Sequence, residues 1–507
     1  TFDCIGAPCM AACPATQDIP GYMYYTARVE YAKALHVILE TNPFPNIQGM
    51  VCDHMCETKC TRINYHDPLL IREIKRFVAQ TAEKIPPLSP VQPNGIKVGI
   101  IGAGPSGLSC AHFLSLRGFE VEIFEKKEMA GGWASDAIPT FRLDDESIRK
   151  DIDAILNLGV TIHYGAATDS ATFEKIRETF DYLYIAVGAQ EGIELGVPGE
   201  EAQGVMDQLE FLSRVRRGEK PELGRRVAVI GGGNSAMDAA RTAKRLVGPE
   251  GEVSVIYRRT REEMPAAPEE IQAMIDEGVK LVELTAPECM LMEDGRVTSN
   301  VCFRMKLGEK DASGRPRPIK IDGSEFELDV DSVISAIGQR VNVDFFPEEK
   351  LEINPATYET QLEKVFAGGD AVRGASTLIK AIADGRRVAD AISLRAVDDY
   401  PFARSALTRE PDVASLRKKK SRRQPGAMLP EIGFGERSGF DMVIQTLDEV
   451  TAQEEAARCL QCDALCSVCV SVCPNRANIE FEMQPVVFTI QQAVQGTNGI
   501  EIIDLES

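Results

Sequence analysis

Twice along this chain a short apolar run ends in a glycine-rich turn, opens an alanine-rich helix and returns as a second apolar run. Few sequence features constrain a fold more. A strand, a tight turn, a helix and a second strand commit the chain to a β–α–β crossover, and so to a parallel sheet covered by helices. The first unit, KVGIIGAGPSGLSCAHFLSLRGFEVEIFEK, opens a domain near Gly95. The second, RRVAVIGGGNSAMDAARTAKRLVG with EVSVIYRR, starts near Arg225. Two such units mean two dinucleotide sites or one duplicated site.

In the first unit Gly102, Gly104 and Gly107 stand in the GxGxxG spacing, with Pro105 and Ser106 between the last two. The glycines permit a tight turn and close backbone approach, and the helix N-terminus offers free N–H groups to a pyrophosphate. Glu125, eighteen residues after Gly107, ends the next strand, where a carboxylate can hold both ribose hydroxyls. An ordinary β–α–β turn is the alternative, and it does not demand this whole context. The second unit carries Gly231, Gly233 and Ala236 in the same spacing, with Asn234 and Ser235 between. Its second strand ends in Tyr257-Arg258-Arg259 rather than in an acid, which would repel a 2′-phosphate. Arginines bind that phosphate bidentately, so NADPH is expected over NADH; otherwise they are surface charges. A third turn, Gly368-Gly369-Asp370, follows the strand KVFA and precedes a helix beginning near Thr377. In flavoproteins with two dinucleotide sites such a turn places a carboxylate near the ribityl chain of FAD and a helix N-terminus near the isoalloxazine.

The fold class expected is α/β: two Rossmann-like dinucleotide-binding domains, for FAD and NADPH, with a helical iron–sulfur domain before them and a ferredoxin-like cysteine-rich tail after. Residues 1–88 form the helical domain, closed by the proline-rich EKIPPLSPVQPNG. The FAD domain is discontinuous, 95–222 and 341–398, because DYLYIAVGA and DSVISAIGQ read as crossings to and from an NADPH domain at 223–340. Residues 399–450 read as a linker whose basic run RKKKSRRQP is a solvated connector or a docking segment, and 451–507 as the C-terminal iron–sulfur segment.

A net charge of −21 disfavours nucleic acid and anionic membranes as partners. No run of about eighteen apolar residues and no export leader is evident, so the expected location is the cytoplasm. Thr1 in place of Met points to a trimmed or longer chain. There the thiols of the 14 cysteines are metal ligands sooner than disulfides. Eleven lie in two groups: Cys4, Cys9, Cys13, Cys52, Cys56 and Cys60, then Cys459, Cys462, Cys466, Cys469 and Cys473. Cys110, Cys289 and Cys302 stand apart and read as apolar packing residues. Cys13-Pro14 and Cys473-Pro474 show the Cys-Pro ending of bacterial cluster loops, and the tail spacing matches the last three cysteines of that signature. Four thiolates also suit zinc, but zinc beside a flavin has no evident use, whereas a cluster makes a two-to-one electron converter.

The succession CxxxxCxxxCP, NPFPNIQGMVCDHMCETKC, IREIKRFVA, GAGPSGL, IPTFRL, GGGNSAMDAARTA, YRRTREEMPA and FAGGDAVRGASTLIKAIADGR resembles the glutamate synthase small-subunit family. That family takes in the N-terminal half of dihydropyrimidine dehydrogenase and NADPH–ferredoxin oxidoreductase subunits. The resemblance covers residues 1 to about 395, while the tail RCLQCDALCSVCVSVCPNRAN is similar to selenate-reductase iron–sulfur subunits. It implies FAD at Gly102–Gly107, Glu125 and Asp370, NADPH at Gly231–Ala236 with Arg258 and Arg259, and [4Fe–4S] clusters on the cysteines. Lys126, Gly132, Trp133, Arg142, Gly369 and Thr377 join the implied cofactor-binding set. The family pattern groups Cys4, Cys9 and Cys60 around one cluster and Cys13, Cys52 and Cys56 around a second. Thr1 stands where the family's first cysteine would, and Lys75 where a carboxylate or amide completes the second cluster, with Glu73 a weak substitute. One or two N-terminal clusters are therefore expected, with one more in the tail on Cys462, Cys466, Cys469 and Cys473; the rival arrangement has the tail lend Cys459 to the head.

The activity expected is hydride transfer from NADPH to FAD, then single-electron passage through clusters to a partner oxidoreductase subunit or ferredoxin-like acceptor, within a hetero-oligomer. The partner reading extends to a molybdenum-type, selenate-reductase-like enzyme. No catalytic side chain is required. The alternatives are the small subunit of glutamate synthase itself and a non-catalytic assembly or sensor protein that keeps flavin and clusters structurally.

Overall fold

The computed structural model describes residues 6–82, 91–311, 314–348, 350–396, 407–420, 422–464, 489–496 and 499–506. Two five-stranded parallel sheets carry the middle of the chain. The first runs in the order Val365–Ala367, Tyr182–Ile185, Lys97–Ile101, Glu120–Phe124 and Thr161–His163. Its edge strand comes from far downstream, pairing Phe366 with Tyr184. The second runs Val205–Asp207, Ser332–Ser335, Arg226–Ile230, Glu252–Ile256 and Lys280–Val282. It thus takes a strand from ahead of Leu223, where the sequence had placed its domain boundary. Both sets of central strands are buried on both faces, as a parallel sheet covered by helices requires. An antiparallel group, Thr285–Glu293, Arg296–Lys310, Pro316–Lys320 and Phe326–Asp329, is inserted after the second sheet's edge.

The head packs the helices Ile19–Thr26, Tyr31–Leu39, Pro45–Val51 and Ile71–Thr81. Its core contains Tyr22, Met23, Ile38, Ile74 and Val78, and also Leu447, Ala452, Ala456 and Cys459 from the other end of the chain. The helix Glu449–Ala457, N-capped by Asp448, is therefore a member of the head. The stretch expected as a linker is stitched down where it is described. Arg76 donates to the Ile444 carbonyl at 2.7 Å, Val443 N to Phe141 O at 3.0 Å and Arg245 Nε to Gly439 O at 2.8 Å.

One carboxylate fixes the head on the first sheet's domain. Asp151, in the helix Asp145–Leu156, accepts from Asn46 N at 3.2 Å, Asn46 Nδ2 at 2.7 Å and Ile47 N at 2.8 Å, capping Pro45–Val51 from another domain. Asp151→Ala should cost about 1–3 kcal/mol, since it leaves those buried donors unsatisfied. The check is the urea midpoint of the head's unfolding transition, and an unchanged midpoint would refute the capping role.

Candidate flavin, nucleotide and iron–sulfur sites

The first glycine turn leaves the strand Lys97–Ile101 and enters the helix Pro105–Leu116. Gly102 has φ +105, and a Cβ there would sit 2.6 Å from the Ala186 carbonyl oxygen. A Cβ on Gly107 would lie 2.1 Å from Gly102 O, whereas one on Gly104 would meet nothing, so Gly104 is the open side of the cradle. Glu125 is buried, with Oε2 accepting from Ala103 N and Oε1 from Lys127 N, both at 2.8 Å. It braces the turn and, with Lys126, lines a cavity of about 470 Å³ beside Gly102. Pro105 begins the helix, and Ser106 Oγ is 2.7 Å from the Tyr184 hydroxyl.

Gly132 (φ +57) caps the short helix Trp133–Asp136 against Gly104. Trp133 donates its indole N–H to Ala189 O at 2.8 Å and carries the Lys127 ammonium 3.9 Å over its ring. Lys127 pairs in turn with Asp136 at 2.5 Å, and all three line a second cavity of about 760 Å³ reaching Ser335 on the other sheet. Gly369 N donates to Asp384 at 3.0 Å, and Asp384 also takes Arg373 and the Tyr358 hydroxyl. Asp370 keeps a buried Oδ1 with no partner among the described residues, and burial pushes its carboxyl up to about 6. That orphaned acceptor fits a hydroxyl-bearing group such as the ribityl chain. Thr377, whose Oγ1 is buried, immediately precedes the helix Leu378–Ala396. Lys127, Asp136, Tyr184 and Asp384 escaped sequence reasoning because their partners are set only once the elements are packed.

In the second cradle Gly231 has φ +151 and its Cβ position is filled by Ala336 O at 2.1 Å, while Gly233 faces open space. Ala236 is fully buried, and Ser235 lies in the first turn of Asn234–Val247. Three residues expected at the cofactor have partners within the protein. Asn234 uses its side chain to accept from Ala267 N at 2.8 Å and to reach Asp53 at 3.4 Å. Arg259 is buried, held by Pro316 O at 2.7 Å and Asp311 at 2.9 Å, because the antiparallel insertion folds over it. Only Arg258 of the pair is exposed. Arg142, expected at a cofactor, is instead engaged by Asp238 at 2.8 Å and Glu270 at 2.9 Å on two helices of the other sheet's domain. Arg241 and Arg245 extend that network to Glu277 and flank the Phe141 ring.

The described cysteines fall into two sets. Cys13 and Cys52 pack with Met55, Ile379 and Ala383, so they rest on the helix that follows Gly368-Gly369-Asp370. Cys56 is within electrostatic reach of both, and Lys75, buried, is close enough to oppose its charge. Arg386 and Arg387 hold the Cys13-Pro14 loop through Ala15 O at 3.0 Å and Pro14 O at 3.2 Å. Glu73 is paired with Arg72 at 2.8 Å. Between Cys52 and Cys56, His54 reaches Glu269 at 2.6 Å and Glu57 at 3.0 Å; burial lowers it, yet those carboxylates raise it to about 9.

The second set brings two of the tail cysteines to the head. Cys9 and Cys60 line one small cavity with Cys459 and Cys462, and Cys462 Sγ donates to Thr61 Oγ1 at 3.3 Å. Cys4, Cys466, Cys469 and Cys473 lie outside the described residues. Loop entropy grows only with the logarithm of length, about 0.6 kcal/mol per doubling. The apolar face of Glu449–Ala457, buried in the head core, outweighs it. Among the described residues no three His, Cys, Asp or Glu side chains are gathered tightly enough for a single metal ion. Arg62 lines the same cavity, fully buried, with Nη1 and Nη2 unpartnered among the described residues. Cys110 and Cys302 are completely buried, in keeping with packing roles.

Two phosphate cradles on paired parallel sheets, beside a thiol-bearing helical head, define a flavoprotein-type oxidoreductase with an iron–sulfur domain. Residues 96–385 match the model of pyridine nucleotide-disulphide oxidoreductases, and the chain belongs to that family. Residues 1–85 match dihydropyrimidine dehydrogenase domain II, 4Fe-4S cluster. The glutamate synthase [NADPH] small chain of Azospirillum brasilense is 33% identical over 420 residues, covering 76% of this chain and 86% of that one. The oxidoreductase YgfK of Escherichia coli K12 is 35% identical over 490 residues, 94% of this chain but 45% of YgfK, so the chain spans under half of that relative's length. FprA of Mycobacterium tuberculosis, solved in complex with NADPH, shares the fold at a TM-score of 0.50 and 19% identity, over 60% of this chain and 85% of FprA. No described helix is long and apolar enough to cross a membrane.

Proposed function

We propose that this chain is the electron-input module of a larger oxidoreductase, taking reducing equivalents from NADPH and delivering them singly to a partner subunit or a ferredoxin-like acceptor. The observation that carries this is one helix, Leu378–Ala396: its start adjoins the flavin-type turn at Asp370, and Ile379 and Ala383 on it pack against Cys13 and Cys52. In this reading donor site and exit site share that helix, Gly369 N donating to its Asp384 and Cys13 and Cys52 packing with its Ile379 and Ala383. Bound FAD and clusters supply two-electron uptake and one-electron relay. The chain's own residues bind and orient. Backbone N–H groups after Gly102 and Gly231 take the pyrophosphates, Glu125 and Asp370 accept hydroxyls, and no general acid or base is needed. Relatives named as a small chain of glutamate synthase support the role of a subunit. The test is anaerobic NADPH titration of the cofactor-loaded protein. Flavin bleaching followed by a reduced-cluster EPR signal is expected, and bleaching without that signal would leave the clusters structural.

Arg258, exposed at the end of Glu252–Ile256, is the 2′-phosphate ligand in this reading. Arg258→Ala should weaken NADPH by about 1.5–3 kcal/mol, the worth of a charge-assisted contact, and leave NADH nearly untouched. Equal weakening in a side-by-side Kd measurement would remove Arg258 from that role. Asp370 gives a pH dependence. Burial holds its carboxyl at about 6 with Oδ1 unpartnered among the described residues, and a ribityl hydroxyl donating to that oxygen favours the anion and lowers that value. FAD binding therefore releases a proton, and FAD affinity should rise from pH 5 to 7 and then level off. Asp370→Asn should flatten that rise, and a slope that survives would assign it elsewhere.

A further inference from the structure

We propose that Cys459 and Cys462 complete a [4Fe–4S] site with Cys9 and Cys60, and that Arg62 is the buried counter-cation of that site. The proposal rests on the reading that the head carries clusters, and adds which thiols hold one of them. The four thiols and Arg62 line a single cavity although Cys9 and Cys462 belong to opposite ends of the chain.

The Cys459–Cys462 turn is held from several sides. Arg458, almost wholly buried, pairs with Glu455 at 2.6 Å and donates to Asp67 O at 2.8 Å and Gln424 O at 3.1 Å. Its own carbonyl accepts from Arg62 Nε at 2.8 Å. Gln461 donates to Pro20 O at 2.9 Å and to Cys459 Sγ at 3.3 Å, in a left-handed conformation with φ +46. A non-glycine residue keeps that conformation only where its surroundings over-determine it, and such residues gather at functional sites.

Charge supplies a second, independent argument. Each thiol gives its proton to solvent as its sulfur bonds iron, so four thiolates on an oxidised [4Fe–4S]²⁺ core leave the site doubly negative. Arg62 keeps two buried guanidinium nitrogens with no acceptor among the described residues. Buried donors of that kind are almost always satisfied, and an anionic cluster in this cavity is the partner they lack. In the arrangement implied by resemblance, Cys4 and a cysteine at the position of Thr1 would stand in this set; the proposal gives both places to the tail thiols.

The test uses the full chain, reconstituted anaerobically with iron and sulfide. Iron, acid-labile sulfide, flavin and the EPR spectrum after dithionite are compared for wild type, Cys4→Ala, and Cys459→Ala with Cys462→Ala. The double variant should lose one cluster's iron, about four atoms per chain, and one EPR signal, with flavin retained, while Cys4→Ala keeps both. Full iron and an unchanged spectrum in the double variant would overturn the proposal. Should the double variant also lose its flavin, Arg62→Gln decides. Potentiometry should then show one cluster signal moved to a more negative potential and the others fixed, and no movement of any signal would overturn the assignment. A wild-type chain that takes up no iron would refute the site and the cluster reading of the head together.

Discussion

Gly107→Ala is expected to yield a chain that takes up iron but isolates without flavin. The added methyl would sit 2.1 Å from the Gly102 carbonyl oxygen and 3.2 Å from Ile100. Neither can retreat. Gly102 is itself pinned beneath Ala186, and Ile100 lies at the centre of the first sheet's core. The helix Pro105–Leu116 must therefore tilt away from its strand, and its first N–H groups no longer converge on a pyrophosphate. Overpacking of this kind costs about 1–3 kcal/mol, roughly five- to more than a hundredfold in affinity. Cys9, Cys60 and Cys459 lie against or within the head's own core, apart from this turn, so iron held there serves as the folding control. Flavin and iron per chain, measured on one preparation, check the result; full flavin would place FAD at another turn.

Arg142→Leu should be the most destabilising single change away from the glycine turns. Arg142 is the sole hydrogen-bond partner of Asp238 among the described residues, gripping both its oxygens at 2.8 and 2.9 Å, and Asp238 is buried. Removing one member of a buried pair leaves an uncompensated charge and costs about 3–5 kcal/mol. Asp238 and Glu270 belong to the second sheet's domain, whereas Arg142 follows the first sheet's Trp133–Asp136 helix. The loss should therefore appear as early separation of the two halves, seen as new proteolytic cleavage and a lower first transition in urea. Arg142→Leu combined with Asp238→Leu should recover much of it, because both charges are then gone. A double variant no better than the single one would show that Arg142 acts through something other than Asp238.

The two roles of arginine mark where the sequence stops being readable. Gly102, Gly107 and Gly231 are legible because backbone crowding is a local demand, written in the spacing of a strand, a turn and a helix. Arg142 and Arg259 are not, because an arginine that meets a phosphate and one that meets Asp238 or Asp311 look alike until the partner element is placed. Arg259 in particular is taken by a loop more than fifty residues downstream that carried no motif. The docking of the tail helix was hidden for a related reason. Cys462 has cysteine neighbours at cluster-like spacing, yet Leu447, Ala452 and Ala456 just before it form an apolar stripe that binds the head.

The insertion of Glu449–Ala457 into the head sets an order of biogenesis. Domains generally fold as they leave the ribosome, N-terminal first, but here the first domain cannot close its core until both nucleotide-binding domains have been made. Through that interval Tyr22, Ile74 and the thiols Cys9 and Cys60 lack the surface that covers them. In the proposed arrangement, iron delivered early would meet an open, half-liganded pocket, and a ribosome that stalled before residue 449 would release a chain unable to finish it. Completion of the head thus reports that translation has passed residue 462, a checkpoint of chain integrity built from the packing of a single nine-residue helix.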